Sequence, residues 1–168
     1  MSNYVKRSYL EIKSINELVA TTKPFNDLNL EKVSPLDFQL NRFFYKEIGK
    51  KHRWTDRLVW SDKKWANYLE SFGVNTYILK HNKDLIGYFE QILDKDKLNC
   101  EIAYFGILEE YIGKKLGGYL LSEAIKTSFN IGSKRIWVHT CSLDHKNALK
   151  NYLSRGMKVF KSEILNLQ

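Results

Sequence analysis

The stretch from Glu101 to Gly118, EIAYFGILEEYIGKKLGG, puts a carboxylate, a strand-like run, two lysines and three glycines close together in the chain. That combination suits an anion held beside a base. A helix N-terminus offers unpaired N–H groups and about half a positive charge. Gly113, Gly117 and Gly118 would let a ligand approach such a backbone closely, and Lys114 and Lys115 add positive charge beside it. The plainer alternative is a helix start that merely lacks large side chains.

Further clusters compete for chemistry. Arg53, Trp54, Asp56, Arg57, Trp60 and Trp65 crowd one segment. Its tryptophans either pack a helical layer onto a sheet or wall a pocket where Arg53 or Arg57 binds a carboxylate, or Asp56 an ammonium. His139, Cys141 and His145 suggest a metal site or a thiol nucleophile. On a strand, however, His139 and Cys141 share a face while His145 lies beyond a turn, and no nearby cluster supplies a fourth zinc ligand. Packing accounts for these residues better, with His139 in reserve for proton transfer and a thiol-dependent enzyme using Cys141 as a third hypothesis. No GxxxxGK[ST], GxSxG or HExxH is present and the glycines lack GxGxxG order, which removes the common ATP, esterase, zinc-protease and dinucleotide motifs.

The elements that must position these residues are legible in outline. Tyr9 to Ile15 alternates as a first strand, and Thr21 to Pro35 reads as loop. Pro35 would open a helix carrying Leu40, Phe44 and Ile48 to Gly49, and a second helix is capped by Ser61 or Asp62. Strands at 76–80, 85–93 and 99–108 form an antiparallel meander. A helix follows over 114–130, with Leu116, Leu120, Leu121, Ala124 and Ile125 at helical spacing. A crossover then makes the strand at 135–141 parallel to its predecessor. Asp144 is expected to cap a helix with Ala148, Leu149, Tyr152 and Leu153 inward and Gly156 at its end, before a last strand over 157–165. The fold class is α/β (α+β), a single domain whose mixed, mainly antiparallel sheet is flanked by helices.

At 168 residues the chain fits one core. Its net charge of +8 is spread through lysines in every segment, which fits a solvated surface rather than nucleic-acid binding. Cys100 and Cys141 are far apart without CxxC spacing, arguing against a disulfide framework and for a reducing cytoplasm. The N-terminus lacks a signal-peptide core, and no apolar run reaches the ~18 residues of a membrane span. A soluble intracellular protein is expected, and edge-strand pairing into a homodimer stays open.

The pairing of YIGKKLGGYLL with the later DHKNALKNYLSRGMKVF resembles the GNAT superfamily of acyl-CoA-dependent N-acetyltransferases over roughly residues 76 to 162. The family's phosphate-binding pattern falls on Ile112 to Gly117, with Ile112 and Lys115 standing where it has Gln/Arg and Gly. Lys115 there needs a negative φ or some strain. The resemblance implies acetyl-CoA as co-substrate, no metal, and transfer to a primary amine by direct attack in a ternary complex, the acceptor being a small molecule or peptide. It implies that Gly113, Lys114, Lys115, Leu116, Gly117 and Gly118 hold the phosphates, Asn147 the pantetheine arm, and backbone near Ile107 the tetrahedral oxyanion. An alkyl ammonium has a pKa near 10.4 and must lose a proton before attack. Glu101 resembles the family's general base and Tyr152 its acid, giving a proton or hydrogen bond to the departing thiolate. Arg53, Trp54 and Arg57 would bind an amino-acid-like acceptor. A non-catalytic acyl-CoA-, RNA- or protein-binding module on the same fold is the alternative.

Overall fold

Period-two and period-3.6 apolar patterns alternate along the chain, and the elements follow them. In order they are β1 (Tyr4–Ile12), β2 (Leu28–Lys32), α1 (Phe38–Gly49), α2 (Asp62–Glu70), β3 (Val74–His81), β4 (Asp84–Leu93), β5 (Asn99–Ile107), α3 (Leu116–Asn130), β6 (Arg135–Cys141), α4 (Ala148–Ser154) and β7 (Lys158–Asn166). This computed structural model describes residues 3–96 and 98–167. The strands form one seven-stranded sheet in the order β2-β3-β4-β5-β6-β1-β7. All neighbouring pairs are antiparallel except β5 and β6.

Each face of the sheet carries its own apolar layer. On one, α3 buries Leu116, Leu120, Leu121, Ala124 and Ile125 against a sheet surface that includes Phe89 and Ile102. On the other, α1 lays Phe44 and Ile48 over Ile78 and Tyr88, with the Phe44 and Tyr88 rings stacked at 4.8 Å. The helix comes this close because Gly106 of β5 has no side chain: a Cβ there would stand 2.6 Å from Ile48 Cγ2.

Several expectations move. β1 begins and ends earlier than Tyr9 to Ile15, and the expected loop over 21–35 contains β2, an edge strand held by β3 alone. α1 starts at Phe38, capped by Asp37, whose carboxylate accepts from the Gln39 N–H, rather than at Pro35. The Ser61 cap of α2 is as expected, its hydroxyl accepting from Lys64 N–H. Asp144 does not cap α4. Its carboxylate accepts instead from Thr140 Oγ1 and the Cys141 N–H, and Asn147 stands at the cap without a side-chain bond. Leu149 and Leu153, expected inward, are exposed, because the short α4 offers only a narrow face to the body of the protein.

β1 inserts between β6 and β7, antiparallel to both, so that Leu10 lies opposite Val138 on one side and Val159 on the other.

Replacing Gly106 with Ala is expected to cost roughly 1–3 kcal/mol through overpacking against α1, read as a lowered urea midpoint with unchanged slope.

Candidate active site

β5 and β6 pair only from Asn99 opposite Arg135 to Glu101 opposite Trp137. Beyond that point β5 continues along β4 while β6 continues along β1, so the two strands part. A bulge accounts for the divergence: Gln91 faces Ile102, but Glu90 faces Tyr104, leaving Ala103 as the extra residue. A bulge bends its strand and raises the local twist. The Leu108 N–H donates to Ile86 O at 2.8 Å, so the alternation of N–H directions along the strand turns that of Ile107 toward the opening. The resulting cleft measures about 1260 Å³, above the ~300–1,000 Å³ of a typical single-ligand pocket. Two substrates fit that space better than one.

One end of the cleft is the N-terminus of α3. Gly113 and Lys115 hold φ of +87° and +63°, so the turn approaches the helix through two left-handed residues. Of the two expected alternatives at Lys115, a negative φ or some strain, the strained one holds. A non-glycine residue in this conformation carries about 1–2 kcal/mol of strain. No side chain caps α3, which leaves the first-turn N–H groups at Leu116, Gly117 and Gly118 directed at the cleft. Lys114 does not line it; its ammonium sits over the Tyr111 ring at 5.4 Å.

Glu101 lies where the strands separate. It is half-buried, lines the cleft and accepts no side-chain hydrogen bond from the described residues. Burial lifts its carboxyl above the ordinary glutamate value against the pull of the Arg57 cation. Tyr152 projects from α4 into the same space, its ring 6.3 Å from that of Phe105. Burial raises the phenol well above its ordinary range, with the Asp144 charge adding to the effect, so it stays protonated. Asn147, exposed, stands at the mouth.

The acetyltransferase (GNAT) family profile matches residues 38–157. The chain belongs to that family. No curated protein sequence matches it. Among solved structures, it resembles a GCN5-related N-acetyltransferase from Sphaerobacter thermophilus at 13% identity and TM-score 0.73, covering 98% of this chain and 52% of that one. A GCN5-related N-acetyltransferase from Kribbella flavida is similar at 14% identity and TM-score 0.68, over 96% of this chain and 57% of the other. The chain thus spans just over half the length of these two proteins. An aminoglycoside acetyltransferase from an uncultured soil metagenomic sample, solved with trehalose, matches at 12% identity and TM-score 0.65, over 79% of this chain and 90% of its own.

In this GNAT chain two further residues at the start of α3 were not singled out from the sequence. Asn151 donates from Nδ2 to Gly117 O at 3.1 Å, and the Arg155 guanidinium reaches the α3 start, where a Cβ on Gly118 would meet its Nη1 at 2.7 Å. The Arg155 Nε is sealed from solvent without an acceptor. Asn147, Asn151 and Arg155 recur at four-residue spacing, the one signal that could have revealed them.

Another wall of the cleft is the loop between α1 and α2. His52 Nδ1 bonds Leu143 O at 3.1 Å and Trp54 Nε1 donates to Asp144 at 3.4 Å, tying this loop to the one before α4. Arg53 is exposed on the rim with φ of +56°. Arg57 is not a free cation, which corrects the expected substrate role. It donates to Glu90 at 2.9 Å, and its guanidinium lies over Tyr104 at 4.0 Å and Tyr68 at 4.3 Å. Glu90, fully buried, also accepts from Tyr68 OH at 2.6 Å and Asn41 Nδ2 at 2.9 Å. Trp65 is buried in this layer, so that tryptophan packs.

His139, Cys141 and His145 do not converge. His139 contacts Tyr9, and His145 accepts from the Asn147 N–H and meets His52. Among the described residues no group of three or more His, Cys, Asp or Glu could hold a metal ion, and no helix is long and apolar enough to cross a membrane.

Glu90→Ala should lower stability by about 3–5 kcal/mol because it strands the buried Arg57, whereas Glu31→Ala, which breaks the exposed pair with Lys80, should cost no more than about 1 kcal/mol. Urea melts of both variants provide the comparison. Lys115→Gly should gain roughly 0.5–1 kcal/mol, the left-handed strain it removes exceeding the unfolded-state entropy it adds.

Proposed function

We propose that the protein moves an acetyl group from acetyl-CoA to a primary amine by direct attack within a ternary complex. The observation that carries this reading is the parting of β5 and β6 beyond Glu101, with uncapped helix N–H groups at one end and an unbonded carboxylate at the other.

The residues present fit the co-substrate. The first-turn N–H groups of α3, at Leu116, Gly117 and Gly118, would hold its phosphates, with Gly113 shaping the turn, Lys115 beside it and the Arg155 guanidinium at the helix start supplying further positive charge. Lys114 would act only as a distant positive charge. Asn147 would meet the pantetheine arm at the mouth. Its thioester supplies an activated acyl carbon: the new N–C bond forms there as the C–S bond breaks.

Glu101 would take the proton that the ammonium sheds, directly or through water, so that the nitrogen lone pair is free. The Ile107 N–H would donate to the acyl oxygen as negative charge grows on it. Tyr152 would donate to the departing sulfur. Because burial raises its pKa, hydrogen-bond donation suits it better than full proton transfer. Arg53 and Trp54 would flank the acceptor, while Arg57 braces the wall behind it. A small amine of amino-acid-like character is the acceptor class this arrangement suits.

Acceptor-dependent release of free thiol from acetyl-CoA, screened over amines, amino acids and peptides, tests the proposal. Absence of release with every acceptor, together with tight, salt-sensitive RNA binding, would instead support a binding module. Tyr152→Phe should lower kcat by roughly 10–100-fold with little change in the KM for acetyl-CoA. Since the base works only when deprotonated, kcat/KM should fall as pH drops through the raised Glu101 pKa. Glu101→Gln should remove that acidic limb while lowering the plateau.

A further inference from the structure

Four arginines line the cleft, Arg7, Arg53, Arg57 and Arg155, and their surroundings differ. Arg57 is neutralised by Glu90 inside a ring of aromatic side chains. Arg155 lies against Gly118 on the phosphate side. Arg53 is exposed on a loop. Arg7 comes from β1, is half-buried, and faces the cleft from the far side of β6, opposite Cys141. It makes no ion pair among the described residues, and its Nε is closed off from solvent without an acceptor.

The groups around Arg7 explain why it stays open. Glu163 is opposite it on β7, yet that carboxylate accepts from Tyr9 OH at 2.5 Å and lies 3.6 Å from Lys161 Nζ. Asp144 is occupied by Thr140, the Cys141 N–H and Trp54. His139, on the same face of the sheet, adds no negative charge; burial and the Arg7 cation both disfavour its protonation. A guanidinium offers five donors in a planar fork matched to a carboxylate. The sealed Nε is out of reach of a ligand, so the contact falls to the terminal N–H groups of this cleft-lining side chain.

We infer that Arg7 recognises a carboxylate on the acceptor, so that the substrate class is an amine carrying an acidic group several bonds away. This rests on the acetyl-transfer reading above. The spacing follows from register: Trp137 lies opposite Glu101 and Cys141 opposite Arg7, four residues that span about 13 Å of strand, with two strand spacings, about 10 Å, across the sheet between β5 and β1. Two flexible side chains shorten the gap, but an α-amino acid, whose two charges sit on one carbon, is too short to meet both. β1 also lies outside the family match, which begins at residue 38.

The test compares 6-aminohexanoate with hexylamine, which differ by the carboxylate, in wild type, Arg7→Gln and Arg7→Lys. Calorimetry with acetyl-CoA alone comes first: failure of wild type to bind it refutes the acetyl-transfer reading without touching Arg7. Wild type should favour 6-aminohexanoate by about tenfold or more in kcat/KM, the worth of a hydrogen bond to a charged group. Arg7→Gln should bring the ratio to about twofold or less through the acceptor KM, leaving the acetyl-CoA KM unchanged, and Arg7→Lys should fall between them because it keeps the charge without the fork. A ratio unaffected by Arg7→Gln overturns the inference, and so does a rise in the acetyl-CoA KM alone, which would place Arg7 on the co-substrate. Thermal shifts with each amine decide the matter independently of turnover. A larger shift by 6-aminohexanoate in wild type that disappears in Arg7→Gln supports the carboxylate contact, and equal shifts in both proteins overturn it.

Discussion

The buried ion pair between Arg57 and Glu90 is the interaction on which the wall of the cleft formed by α1, α2 and the loop between them depends. Glu90 belongs to β4, Arg57 to the loop after α1, Tyr68 to α2 and Asn41 to α1, so one carboxylate gathers four separate segments. Asn41 extends the network to Thr76 on β3. Burying a charge is unfavourable unless it is paired and hydrogen-bonded. Here three donors meet the carboxylate while aromatic faces surround the cation. The helical layer is therefore pinned at a single polar point as well as by Phe44 and Ile48. The same pair keeps the Arg57 charge from dominating Glu101, whose raised pKa reflects burial outweighing that cation.

The cleft arises from a backbone irregularity. One extra residue at Ala103 lets β5 stay with β4 while β6 stays with β1, so each strand keeps a partner on its outer side and offers unpaired peptide groups on its inner side. Such groups would be costly in a closed core. In an open cleft they meet water or a ligand, and the polarity of the site follows from the strand divergence before any side chain is considered.

Much of this was legible in the sequence, for reasons that vary by element. β3, β4, β5 and α3 were readable because their periodicity is long and their neighbours are local. The Gly-rich turn and Tyr152 were readable because family resemblance tied them together. β2 was missed because an edge strand with one partner needs little apolar patterning, and Asn29 made LNLEK look like loop. The expected Asp144 cap does not form because that carboxylate is taken by its own preceding strand. Arg57 was misassigned because nothing in the sequence couples it to Glu90 across 33 residues. Arg7 and Arg155 went unnoticed for a related reason: their neighbours are set by strand order and helix packing rather than by spacing along the chain.

The placement of β1 also bears on how the molecule is made. β1 is made before both of its partners, β6 and β7, with the other strands and helices between them in sequence. A ribosome-bound chain therefore holds Val5, Leu10 and Ile12 without their final neighbours until β6 and β7 have emerged. Closing so long a loop is entropically slow. The meander and α3 can assemble beforehand, and β1 then enters as the strip that joins the last strand to the rest. The segment bearing Arg7 is thus made before its partners and settles after them, so that edge of the cleft is completed only once β6 and β7 are in place.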